Sequence, residues 1–449
     1  MAAILHASAG VDAGKRVRRF MHLQHETMPR RQLAQLQLAR LRATVRNAYD
    51  HVPLHRARLD AAGIAPDDIR RLDEIRHLPF TLKTDLRDQY PFGLLARPRA
   101  ELTRLHASSG TTCKPTVVGY TKQDVDHWAD LMARSLFAAG VRRGDTFHNA
   151  LGYGLFTGGL GMHYGAERLG AVVVPISGGS TERQVALIVD FKPRVMCATP
   201  SYALVIAEAA EKQGIDLRSS ALEVGLFGGE PWSAAMRAEI EARLGLKAFD
   251  VYGLSEIMGP GVACECECQN GLHGWEDHFL FEVIDPDTGR VLPEGAVGEL
   301  VITTLTKEAL PMLRYRTRDI TRITTAPCDC GRTHLRILRI SGRDDDMLIV
   351  RGVNIHPSQI EAVLADRPRI APHCQLIVDR RGALDQLTVE VEALPGLAAS
   401  DFAEIAYDVA HHIKSMIDVS AEVHVRSSGE IPSFDGKAVR VRDLRPKAS

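Results

Sequence analysis

Apolar residues along the first fifty positions fall into no period until Gln32. From there Leu33, Leu36, Leu38, Leu41 and Val45 recur near 3.6 residues and predict a helix over residues 32–51. Residues 1–25 are small or polar and read as a loose N-terminal segment. Between about 121 and 253 helical and strand patterns alternate. Val125, Trp128, Leu131, Met132, Leu136 and Phe137 make one helical stripe that ends at Gly140. Short apolar runs at 171–176, 194–198 and 223–227 read as buried strands, separated by helical patterns at 181–190, 202–213 and 233–244. Such alternation argues for a parallel sheet with helices on both faces.

After Gly259 the pattern turns to strands, with Phe279 to Thr304 arranged around a turn at Asp285-Pro286-Asp287-Thr288-Gly289. A polar stretch, Gly342-Arg343-Asp344-Asp345-Asp346, separates this part from a last unit of roughly 100 residues, a normal size for a small domain. That unit reads as a strand at 348–350, a helix from Pro357, a hairpin at Arg380-Arg381-Gly382, a helix over 401–417 and a closing strand. The expected fold class is α/β: a large N-terminal domain over 26–343, with helix-covered parallel sheets plus a β-rich distorted barrel, and a small mobile α+β domain over 344–449.

Composition narrows the function classes. In 449 residues, 45% are hydrophobic and 25% charged, enough apolar content for packed cores and unlike a disordered chain. Lys+Arg 55 against Asp+Glu 56 gives a net charge of −1, so no global field attracts nucleic acid or an anionic membrane. No apolar run reaches the length of a bilayer span, and the N-terminus lacks the basic lead of a signal peptide. The expectation is a cytoplasmic enzyme that uses neither membrane nor nucleic acid.

The segment most telling for chemistry is Ser108-Ser109-Gly110-Thr111-Thr112-Cys113-Lys114-Pro115. Hydroxyls, a permissive glycine, backbone N–H groups and a lysine suit a polyphosphate, which needs many donors at close range. The string is not the G-x-x-x-x-G-K-[ST] loop that runs into a helix. Val117-Val118-Gly119-Tyr120 follows as a strand, so the loop should tip a hairpin; a surface turn of small polar residues is the plainer alternative.

This loop occurs in order with Tyr252-Gly253-Leu254-Ser255-Glu256, Tyr315-Arg316-Thr317-Arg318-Asp319, Gly342-Arg343-Asp344-Asp345 and Lys437. Together they resemble the adenylate-forming acyl- and aryl-CoA ligases. Within that superfamily the runs 153–161, 305–311 and 347–357 resemble the phenylacetate–CoA ligase branch. The resemblance covers nearly the whole chain, from about Leu33 to Leu444. It implies a two-step reaction in which a carboxylate attacks the α-phosphorus of ATP, releasing pyrophosphate, and a thiol then displaces AMP from the acyl-adenylate. By the resemblance, Ser108, Ser109, Gly110, Thr111, Thr112 and Lys114 grip the phosphates, Glu256 holds Mg²⁺, and Ser255 contacts the α-phosphate. Asp319 takes the ribose hydroxyls, Gly229, Glu230, Pro231 and Tyr252 flank the adenine, and Gly253, Ile340 and Arg343 complete the nucleotide site. Taken singly, each is an ordinary solvated or capping polar group; their joint order carries the reading.

A lone lysine in the polar loop Ser433 to Ala438 would ordinarily be a surface residue. The resemblance instead makes Lys437 the group that bridges carboxylate and α-phosphate during adenylation, and Asp345 the hinge between the two half-reactions. Leu151, Tyr153, Phe156 and Gly229 are the expected acid pocket, small and aromatic residues leaving room for a flat ring. Two positions depart from the family. Cys113 replaces a loop glycine, and Leu151 replaces a tyrosine that lines the aryl pocket in phenylacetate ligases. The second leaves the acid open to bulkier or substituted aryl carboxylates.

Cysteines cluster as Cys264-Glu265-Cys266-Glu267-Cys268, followed by His273, and as Cys328-Asp329-Cys330. Two such clusters in a chain of this size suggest metal rather than disulfides, with free thiols and an iron–sulfur cluster as alternatives. Following the branch resemblance, Cys266, His273, Cys328 and Cys330 form the expected structural zinc set, while spacing leaves Cys264 and Cys268 as rivals to Cys266. His411-His412 reads as a helical pair, and His273-Gly274-Trp275-Glu276-Asp277 lacks the doubled histidine of thioester acyltransferases. No G-x-S-x-G or H-E-x-x-H string supports a hydrolase. The cofactors implied are ATP, Mg²⁺, coenzyme A and structural Zn²⁺, with an aryl carboxylic acid as substrate. A carrier-protein thiol in place of coenzyme A and a non-catalytic nucleotide-binding regulator are the competing readings. Homodimers are common in the family, though nothing in the sequence marks an interface.

Overall fold

A computed structural model of the chain describes residues 19–108, 116–229, 232–343, 348–350, 353–355, 357–365, 367–381, 384–417, 419–431 and 440–444. The expected alternation is present in it. Strands Thr146–Asn149, Val172–Val174, Val195–Ala198, Val224–Gly228 and Lys247–Leu254 run parallel as half of a nine-stranded sheet. The sheet continues antiparallel through Gly259–Glu265, Leu272–Gly274, Arg336–Ile337 and Ile323–Thr324. Four of the intervening helices are Lys122–Ala138, Thr181–Phe191, Pro200–Lys212 and Ala234–Leu244.

Local chemistry sets where these helices start. Thr121 accepts from Asp124 N, and the Asp124 carboxylate returns a bond to Thr121 N, a closed capping box. Thr199 caps the helix that opens with Pro200, and Ser233 caps the one that follows it. Gly140 and Gly170 follow two of the helices with φ of +100° and +88°, values that carry no steric cost for glycine.

The run Thr157-Gly158-Gly159-Leu160-Gly161 opens the helix Thr157–Leu169, and its glycines have a packing role beyond leaving room for a ligand. A Cβ at Gly161 would lie 2.6 Å from the Trp128 ring, and one at Gly165 only 2.3 Å from Met132 Cβ. The two helices meet backbone to backbone, which only glycine allows.

Phe279–Ile284, Gly298–Thr304, Tyr315–Thr321 and the short Gly342–Arg343 build a separate antiparallel sheet. The turn at 285–289 forms as expected, with Asp285 accepting from Thr288 N and Gly289 N. It leads first to a bridge between Ile284 and Val291, and the main strand partner starts only at Gly298. The C-terminal unit holds a four-stranded mixed sheet in the order Ala421–Arg426, Leu384–Ala393, Ile370–Arg381, Val441–Asp443. Helices Pro357–Ala365 and Phe402–Ile417 share a core with it, built on Ile360, Leu376, Val389, Val409 and Ile413. Among the described residues no helix is long and apolar enough to cross a membrane.

Candidate functional site

The carboxyl ends of the parallel strands gather the expected site residues on one edge of the large sheet, where ligands enter open α/β folds. Leu151 and Tyr153 follow the strand ending at Asn149, and Gly229 follows the strand ending at Gly228. Tyr252 and Gly253 close the strand that ends at Leu254, and Ser255 and Glu256 come next. Gly229 sits at φ +85°, and a Cβ on Gly253 would come within 1.9 Å of Gly259 O. Neither position accepts a side chain without moving the backbone.

Asp319 reaches this edge from the other sheet. Its carboxylate accepts from Tyr252 Oη at 2.6 Å, and both residues lie at least partly within the protein. A register shift across Glu299/Val301 interrupts the strand pairing here, and Arg318 takes φ +67°, a left-handed value that costs a non-glycine residue about 1–2 kcal/mol. Irregular backbone next to a buried carboxylate is a common device for aiming a functional group. On the far side Asp319 pairs in strand register with Arg343, so the backbone of a second expected nucleotide residue lies alongside.

Ser255 and Glu256 occupy a tightly held turn. Ser255 Oγ is 2.9 Å from Thr157 Oγ1, at the start of the glycine-rich helix. Glu256 is buried, and its carboxylate lies 3.8 Å from the ammonium of Lys83. The hairpin flanking the phosphate loop is as expected: Leu102–Ser108 pairs antiparallel with Thr116–Thr121, ending at Ser108 opposite Thr116. Ser109 to Lys114, with Cys113, lie outside the described residues, as do Glu230, Pro231, Asp345 and Lys437. Ser108 and Arg343 are placed by their backbone alone.

Around the expected acid pocket, Tyr153 is half-buried, with its hydroxyl 2.7 Å from Asn149 Nδ2 and 3.1 Å from His163 Nδ1. Desolvation by burial raises its pKa above the ordinary phenol value. Leu151 packs against the main core, while Phe156 is exposed. Ile340 is partly buried against that same core.

Three features were not read from the sequence as parts of the site. Lys83, from the helix Lys83–Asp88, faces Glu256. Lys307 is buried under the same turn. Two residues before Tyr252, Asp250 is half-buried close to Glu265 and receives a hydrogen bond from Trp232, and desolvation pushes its carboxyl up to about 7. Lys83 and Asp250 belong to no quoted motif, Lys307 lies within the run 305–311 with no role drawn from it, and burial of a lone Lys or Asp leaves no periodic trace.

The cysteine cluster assembles on the opposite half of the sheet. Ligand atoms of Cys266, His273, Cys328 and Cys330 all lie within 4.8 Å of one another. Cys266 and Cys328 sulfurs are 3.8 Å apart, and Cys330 Sγ is 3.3 Å from His273 Nε2. A tetrahedral zinc with Zn–S near 2.3 Å and Zn–N near 2.0–2.1 Å would set these separations at about 3.8 and 3.5 Å, so the donor set fits. His273 Nδ1 faces the His334 carbonyl at 3.3 Å, which leaves Nε2 for the cluster. The geometry also separates the rival thiols: Cys264 Sγ turns to the Ser135 carbonyl, and Cys268 stands outside the quartet.

Comparison with known proteins agrees with this geometry. Residues 96–306 match the family described as AMP-binding enzyme, and residues 352–445 match the AMP-binding enzyme C-terminal domain. A phenylacetate–coenzyme A ligase of Aromatoleum evansii is 54% identical over 422 residues, covering 93% of this chain and 95% of that enzyme. A solved 2-hydroxyisobutyryl-CoA ligase in the postadenylation state, in complex with R3-HIB-AMP, superposes with a TM-score of 0.89 at 30% identity, covering 95% of this chain and 92% of that one. The same ligase in its thioesterification state, with 2-HIB-AMP and CoA, gives 0.72 at 31% identity, with 95% and 93% covered.

Proposed function

The chain belongs to the AMP-binding enzyme family, in the phenylacetate–coenzyme A ligase branch of the adenylate-forming ligases, and on that premise we propose that it joins an aryl carboxylic acid to coenzyme A with cleavage of ATP to AMP and pyrophosphate. The observation that carries the reading is the convergence of Tyr252, Ser255, Glu256 and Asp319 on one sheet edge, in a chain similar to such ligases over nearly its full length.

In this reading Asp319 accepts hydrogen bonds from the ribose hydroxyls, and Tyr252, held by its own bond to Asp319, presents its ring to the adenine. Gly229, Glu230 and Pro231 close the other side of the base, and Ile340 packs near it. Ser255 contacts the α-phosphate. Residues Ser108 to Lys114 supply donors to the outer phosphates, and Arg343 contacts the nucleotide. Glu256 is the ligand for Mg²⁺, a hard cation that prefers carboxylate oxygen and, when bound, would neutralise phosphate charge. Lys437 arrives from the small domain for adenylation, and rotation near Asp345 then withdraws it. Coenzyme A is the acceptor thiol, as in the ligases named above.

Cys266, His273, Cys328 and Cys330 would hold a zinc ion with all four positions filled by protein. A closed site staples two loops and leaves no open position for chemistry.

Leu151 is the residue to which we assign acid selectivity. Leu151→Tyr should raise kcat/KM for phenylacetate against ring-substituted or bulkier aryl acids by about tenfold, the scale of a pocket-filling contact. Thioester formation measured over such a panel, for both forms, checks this. A preference unmoved by the substitution would take Leu151 out of the acid pocket.

A further inference from the structure

Lys307 is 2% exposed, an unusual state for a lysine, and the reading above gives it no task. It lies between the two sheets' contributions to the site, in the segment just after the strand Gly298–Thr304. Its Nζ is 3.4 Å from the carbonyl oxygen of Glu256 and 4.4 Å from the centre of the Tyr120 ring. The Tyr120 hydroxyl in turn lies 3.3 Å from the carbonyls of both Ser255 and Met258. The ammonium therefore donates to the Glu256 carbonyl, and the single phenolic proton is shared between the carbonyls of Ser255 and Met258.

The clamp is itself fixed. Asp124, in the capping box at the start of the helix Lys122–Ala138, accepts from Glu308 N at 2.7 Å and Ala309 N at 3.0 Å, which anchors the residues after Lys307. Tyr120 stacks on Trp128 at 5.1 Å and meets His106 edge-on at 5.6 Å. An apolar residue of similar length at 307 would fill the same space without burying a charge, so the cation is retained against its desolvation cost.

We propose that Lys307 is a positioning residue for the adenylation half-reaction, its buried ammonium holding the Ser255–Glu256 backbone in register with the bound nucleotide and metal and adding fixed positive charge beneath the phosphates. The proposal rests on the assignment of Ser255 and Glu256 to ATP and Mg²⁺. Preorganised charge in a water-poor site acts on the transition state more than on ground-state binding. Loss of Lys307 should therefore fall on kcat rather than on KM for ATP.

ATP–pyrophosphate exchange by the full-length protein, wild type against Lys307→Met, tests this. The expected result is a kcat about ten- to a hundredfold lower with KM for ATP nearly unchanged. The melting temperature should not fall, because the variant no longer buries a charge. Tyr120→Phe, which keeps the ring and removes the hydroxyl, should lower kcat by a few-fold at most. A variant with wild-type kcat overturns the proposal. So does an activity loss matched by a lower melting temperature or by an equal rise in KM for ATP, which would make Lys307 structural. Absence of exchange in the wild type with every acid would instead overturn the underlying assignment of the site.

Discussion

Lys437→Ala is expected to abolish adenylation, lowering ATP–pyrophosphate exchange by about 10²–10³-fold or more, while thioester formation from preformed acyl-adenylate and coenzyme A proceeds near the wild-type rate. The physical reason is the charge problem of the first step. A carboxylate must approach the α-phosphorus of a polyanion, and negative charge gathers between them in the transition state. A cation delivered there lowers the barrier. In the second step the nucleophile is a thiol and the leaving group is AMP, so the same cation has no partner. Single-turnover assays of the two half-reactions check the split. Equal losses in both would remove the division of labour between Lys437 and the rest of the site.

The second large effect concerns the metal quartet. Protein purified without chelator should carry close to one zinc per chain, and Cys330→Ser should lose it. The staple ties Cys266, at the end of one strand of the large sheet, to the loop of Cys328 and Cys330 some sixty residues later. Removing it should cost about 2–5 kcal/mol, the range for losing a native cross-link. It should leave KM for the acid nearly unchanged, because none of the four ligands belongs to the residues assigned to substrate. Metal analysis and thermal melts of both proteins check this. Zinc-free protein with an unchanged melting temperature in the variant would reduce the quartet to buried thiols.

Much of this was legible in the sequence because it rests on local chemistry. The parallel strands announced themselves as apolar runs such as the one at 194–198, and their helices as helical patterns at 181–190, 202–213 and 233–244 between those runs. The hairpin under the phosphate loop followed from the strand-forming run after Pro115. Ser255, Glu256 and Asp319 were recognisable only through the ordered motifs, since no single polar residue declares its role. What stayed hidden depends on long-range contact. Lys307 lies in the run 305–311 that carries the branch resemblance, yet nothing in that run tells that the fold buries it beneath Glu256. Asp250 alternates properly as a strand residue, and only the fold, by desolvating it and bringing Glu265 beside it, raises its carboxyl. Likewise spacing could not choose among Cys264, Cys266 and Cys268. In the structure it is the Cys266 sulfur that meets Cys328, across some sixty residues of chain, while Cys264 turns to Ser135.

Glycines gave a mixed lesson. Gly253 marks a close backbone crossing at the site, as a motif glycine should. Gly161, by contrast, belongs to a run that suggested an open ligand pocket, and its structural task is to let one helix settle on Trp128. Sequence shows that a side chain is absent without showing what fills the space.

The central claim is that this chain activates an aryl carboxylate through an acyl-adenylate, and carboxylate-dependent ATP–pyrophosphate exchange tests it most directly. Wild-type protein with Mg²⁺ should exchange label with at least one aryl acid of a panel, and weakly or not at all with short alkyl acids. Exchange driven best by an alkyl acid would contradict the aryl assignment. Silence with every acid, in protein that still binds ATP, would contradict adenylation itself and favour a nucleotide-binding regulator.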